Sequence, residues 1–199
     1  SHTLRELLGD ELERFRVVYA DQRGGGRSYT DAPFDLDTLA DDVAAVLQAL
    51  SIERATLLAH GFGAAIAVRA ARRHPRRVRG LVLVNPWTSM PLLARTLQRE
   101  AAQRSDRLDE ALPPEAALAD PEGIDPQSTV DEAFGMMSGK VLFDALLFPT
   151  ASSRLRLEHA DATALHGPTE TVELGEPWRA DVGADLAELE MPVAVLVAT

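Results

Sequence analysis

The sequence predicts an α/β protein, a parallel sheet flanked by helices, on three observations. Short apolar, partly β-branched runs at residues 16–20, 54–60 and 78–84 alternate with helical patterns at 36–50 and 62–73, and strand-helix-strand-helix-strand in short succession builds a parallel sheet. The run at 54–60 breaks at His60-Gly61-Phe62-Gly63 straight into an alanine-rich helix. A third strand, 78–84, follows that helix after His74-Pro75, where proline stops it.

Taken in order, residues 3–13 read as a helix. Residues 16–20 (R-V-V-Y-A) read as a strand delivered into the glycine turn D-Q-R-G-G-G-R-S. Leu36, Leu39, Val43, Val46, Leu47 and Leu50 recur at three- and four-residue spacing, with Asp35 and Asp37 placed to cap and complement the helix N-terminus. Beyond Trp87 the character changes to helices and polar loops: residues 91–103 and 130–147 show helical spacing, separated by a proline- and acid-rich stretch at 113–127. Residues 193–197 (V-A-V-L-V) return to strand.

Composition sets outer limits. The 199 residues are long enough for one sizeable core, and 46% hydrophobic with 26% charged content is that of a globular chain. A formal charge of −11 argues against nucleic acid as partner. No apolar run approaches membrane-spanning length, so no membrane partner is expected. With no cysteine, disulfides and thiol catalysis are excluded for this chain, and a cytoplasmic location is expected.

The segment T-L-L-A-H-G-F-G-A-A (56–65) has the layout of a nucleophile elbow, G-x-S-x-G, with Ala59 and Gly63 at the flanking small positions and Gly61 where the serine would stand. Such a turn holds its central residue in a sparsely allowed backbone region. Glycine enters that region at little steric cost, so a glycine there preserves the turn while removing the hydroxyl. The bland alternative is an ordinary strand-to-helix turn.

D-Q-R-G-G-G-R-S, then L-L-A-H-G-F-G-A-A, then R-H-P-R-R-V-R-G-L-V-L-V-N-P, in this order and spacing, resemble the α/β-hydrolase superfamily and within it the prolyl iminopeptidase group. The resemblance covers residues 15–86 and resumes at 185–199. It implies an α/β-hydrolase core at 1–86, a helical cap at 87–185 and the core again at 186–199. It also implies a serine hydrolase that releases an N-terminal residue from a peptide or aminoacyl amide through an acyl-enzyme, without a cofactor or metal. Carried over by position, Gly61 matches the nucleophile and the Phe62 backbone N–H matches one oxyanion donor. His60 is a structural neighbour rather than the base, and Asp21 and Arg23 belong to a hydrogen-bonded turn.

Under the cap, Trp87, Phe134, Met137 and Trp178 are candidate pocket-lining residues, with Met136 and Phe143 on the same apolar stripes. Such stripes also simply pack on the domain. Glu132 is the candidate carboxylate for a substrate amino group, with Asp131, Asp144 and Glu158 also conceivable, although the family's aromatic-and-acid cap motif has no clear match here. The arginines at 69, 72, 73, 76, 77 and 79 cluster at a helix C-terminus, as a solvated face would.

The rest of a catalytic triad is not found. The family's acid and histidine would follow the strand at 193–197, Asn85 occupies a variant acid position, and His159 and His166 precede that strand. The family's oxyanion-loop strand, which lies between the strands at 16–20 and 54–60, is not matched either, so further polypeptide completing the sheet is expected. Two readings stay open: an inactivated serine hydrolase, or a natural non-catalytic relative that binds small molecules or proteins in the same cleft.

Overall fold

A computed structural model describes residues 2–24, 28, 35–106, 125–147, 150–162 and 179–197. They fall into two compact units: Ser1–Ala32 with Ser138–Glu173, and Pro33–Met137 with Leu174–Thr199.

The second unit carries the sheet. Its strands are β1 (Ala55–Gly61), β2 (Val78–Pro86) and β3 (Val193–Leu196), in the order β1-β2-β3 and all parallel. Between β1 and β2 runs α3 (Gly63–Arg73), preceded by α2 (Leu36–Ala49). α2 begins where Asp35 accepts from the Thr38 amide at 2.7 Å and from the Thr38 hydroxyl at 2.6 Å, a side-chain cap on donors that a helix N-terminus leaves open. It ends with the Ile52 amide on the Leu47 carbonyl and the Ser51 amide on the Gln48 carbonyl, with Ser51 at φ 54°. That pairing is a Schellman closure with serine in the left-handed seat glycine usually takes.

α3 is alanine-rich so that it can lie close to the strands. Ala64, Ala65, Val68 and Ala71 are fully buried in a core shared with Leu36 and Leu39 of α2, Leu81 and Leu83 of β2, and Val182. Along β1 the alternation is clean: Thr56, Leu58 and His60 are exposed while Leu57, Ala59 and Gly61 are half-buried or buried, the period of two expected when one face of a strand meets the core.

α4 (Met90–Arg104) follows β2 and packs on α5 (Pro126–Met136). Both start with proline in the first turn, where no amide donor is missed. α8 (Gly183–Ala187) precedes β3. In the first unit, α1 (His2–Leu8) packs on α7 (Ala151–Ala162), and α6 is Gly139–Leu147. Among the described residues no helix is long and apolar enough to cross a membrane.

Three sequence expectations are corrected. Residues 16–20 form no strand; Val17 and Val18 stay exposed, and a β-branched run becomes a strand only when a partner completes its ladder. The helix read over 3–13 stops at Leu8 and gives way to a single 3-10 turn, Asp10–Leu12, after Gly9. The continuous pattern at 130–147 is two helices, because Met137 takes an extended conformation (φ −153°, ψ 145°) between them.

Candidate active site

β1 ends at Gly61 and α3 begins at Gly63, so the whole reversal from strand to helix is made by one residue, Phe62. Gly61 stands at its tip with φ +55°, a region that costs most residues about 1–2 kcal/mol and glycine almost nothing. The sharp strand-to-helix turn read from the sequence is present, with its central residue in the left-handed region. Gly63 is under no such demand: a Cβ there would lie 3.9 Å from the Ala59 Cβ, ordinary contact.

A second backbone irregularity faces the first. His60 pairs with Val84 and Gly61 with Pro86, so Asn85 is an extra residue bulged out of β2 at φ +42°. Bulges re-aim strands next to functional sites, and asparagine is among the few non-glycine residues that enter this region readily. The sequence placed Asn85 beside the site but carried no sign of the bulge beyond the Asn-Pro pair.

The bulge delivers Trp87 onto the elbow. Its amide donates to the Gly61 carbonyl at 3.1 Å. A Cβ at position 61 would lie 3.5 to 3.6 Å from the indole carbons Cε2, Cδ2 and Cζ2. The following residues are fixed from a distant stretch of sequence: the Val182 amide donates to the Thr88 carbonyl and the Met90 amide to the Ala180 carbonyl, both at 2.8 Å, and Ser89 bridges to Asp181.

Glu132, on α5, is hydrogen-bonded by the side-chain amide of the buried Gln98 on α4, whose carbonyl accepts from Arg95 at 2.8 Å. Phe134 lies on the same helix, 39% exposed, and Met137 is half-buried at its end. Asp131 accepts from Gln127 at 3.0 Å. In the first unit, Asp144 and Glu158 both pair with Arg154, at 3.2 and 3.8 Å. All four of these carboxylates therefore have side-chain partners within the chain. Trp178, with His166, lies outside the described residues. The Asp21–Ser28 stretch contains a turn, with the Gly24 amide donating to the Ser28 carbonyl at 2.8 Å.

His60 points away from the core face and is exposed. His74 and Asp41 make a 2.7 Å contact, the geometry of a catalytic pair. They sit at the wrong place: α3's 11 residues carry His74 roughly 16 Å from the elbow at 1.5 Å per residue. Their setting is an ion-pair belt. Arg73 binds Asp41 through two nitrogens, at 2.9 and 2.8 Å, and reaches Asp37 at 2.9 Å. Arg69 reaches Asp37 and Asp185, and Arg72 reaches Asp185 and Glu188. Hydrogen bonds from Arg73, then from His74, lower the Asp41 pKa to about 2. Three of the six clustered arginines, on a face that is exposed at Arg72 and Arg73, also tie α3 to α2 and α8.

A family profile described as alpha/beta hydrolase fold matches residues 1–152. The chain belongs to the α/β-hydrolase fold family. A proline iminopeptidase-related protein of Thermus thermophilus superposes on 98% of the chain and 76% of its own length, with a TM-score of 0.71 and 31% identity. A thermophilic esterase of Thermogutta terrifontis covers 98% of the chain and 64% of its own, with a TM-score of 0.58 and 25% identity. In Agrobacterium fabrum a protein named as a putative carbamate hydrolase, RutD, is 29% identical over 195 residues, 96% of this chain. The chain spans 66% of that relative. Within the family, the elbow at Gly61 marks the C-terminal edge of the sheet, where open α/β sheets bind ligands.

Proposed function

We propose that this chain is the elbow-bearing part of a serine-hydrolase scaffold of prolyl iminopeptidase type, and that with glycine at 61 it binds substrate without turning it over. The observation that carries this reading is Gly61 at φ +55° on the tip of the β1–α3 turn. The 31% identity to the proline iminopeptidase-related protein across nearly the whole chain supports the substrate class, a peptide or aminoacyl amide with a free N-terminus.

In the mechanism, a serine hydroxyl at 61 attacks the substrate carbonyl, an acyl-enzyme forms with release of the amine, and water hydrolyses it. The Phe62 backbone N–H, at the N-terminus of α3, faces the oxyanion with the helix dipole behind it. No cofactor takes part. Trp87, Phe134 and Met137 offer apolar walls. A cytoplasmic setting suits a cysteine-free chain.

Two other readings have specific support. Hydrolysis of an ester or a carbamate is favoured by the likeness to the esterase and to RutD. A natural binding protein is favoured by the glycine itself. A substrate panel separates them: in the full-length protein, Gly61→Ser should turn over proline- or alanine-derived arylamides. Turnover restricted to esters or carbamates replaces the aminopeptidase reading, and no turnover at all supports the binding protein.

A further inference from the structure

We propose that Trp87 is a positioning residue for whatever side chain stands at 61; this rests on reading 61 as the nucleophile position. The carbons nearest a Cβ there are Cε2, Cδ2 and Cζ2, at 3.5, 3.6 and 3.6 Å. Cδ2 and Cε2 are the two carbons shared by the indole's rings. In the plane of the ring system, peripheral atoms would be met first, so near-equal distances to both shared carbons put the Cβ over the indole face.

That placement has a steric consequence. A separation of 3.5 Å is already the close end of optimal carbon–carbon contact. An atom bonded to the Cβ and directed at the ring would fall far inside it, so any staggered well that aims at the indole is closed. A hydroxyl at 61 is therefore turned off the ring. The indole can act as such a stop because its backbone is fixed on both sides, by the Trp87 amide on Gly61 and by the bonds from Val182 and Met90 that hold Thr88 and the start of α4.

Two measurements on the full-length protein test this. The first needs no catalysis: the methyl group introduced by Gly61→Ala should resonate far upfield in the proton spectrum from the indole ring current, and return to the ordinary range when Trp87→Leu is added. An ordinary shift in the single variant overturns the proposal. The second reads function. In Gly61→Ser, adding Trp87→Ala should slow labelling by a small fluorophosphonate roughly tenfold or more, while Trp87→Phe keeps most of the rate, with both double variants folded by circular dichroism. Equal labelling of the Trp87→Ala variant overturns the proposal. If Gly61→Ser alone goes unlabelled while the methyl shift is upfield, the acyl-transfer reading fails and the placement of the indole stands.

Discussion

At the elbow two glycines two residues apart carry opposite expectations. Gly61→Ala should destabilise by about 1–2 kcal/mol, because φ +55° strains any Cβ even though Trp87 leaves the atom room. Gly63→Ala should be neutral or stabilise by up to about 1 kcal/mol, since the first turn of α3 gains helix propensity and the new methyl meets only Ala59 at contact distance. Urea melts of the two variants decide it; equal and like-signed effects would mean that the turn is not strained at 61. The residue identities at this tip were legible because glycine, alanine and glycine at fixed spacing have few other uses. The bulge at Asn85 was not, since it arises from the mismatch in length between two paired strands, and neither strand's own sequence encodes that.

Elements show the same division. α2, α3 and the three strands were readable from period and punctuation, because each has an apolar face and a cap or stop of its own. The strand expected at 16–20 was not realised, as pairing is a property of two segments. β2 and β3 depend on Gly80, where a Cβ would come within 2.9 Å of the Pro192 carbonyl oxygen; the Leu81 amide donates to that same oxygen at 3.0 Å. Gly80→Ala should push β3 off the sheet, visible as fast amide exchange at 193–196 with β1 and α3 still protected. Unchanged protection would show that the strands can spread to admit a methyl.

Across the second unit the belt of Arg69, Arg72 and Arg73 ties helices together through Asp37, Asp41, Asp185 and Glu188, and its sequence signal was an arginine cluster whose partners lie on other segments. Asp41 makes it pH-dependent. Its folded pKa of about 2 lies below the ordinary 3.8, so its contribution is full above about pH 4 and is lost as pH falls toward 2. With the side chain 47% exposed, solvent screening keeps that contribution to about 1 kcal/mol or less. Asp41→Asn should lower stability at pH 6 and narrow the gap to wild type by pH 2, by thermal melts across that range. A constant gap would assign the loss to packing instead.

The claim on which the rest depends is that position 61 occupies the nucleophile's place in an acyl-transfer site. It is tested most directly by treating the full-length protein carrying Gly61→Ser with a fluorophosphonate and locating the adduct by peptide mass spectrometry. The expected result is a single covalent adduct on residue 61, absent from the glycine form and blocked by prior denaturation. A folded Gly61→Ser protein that takes no label there would contradict the account.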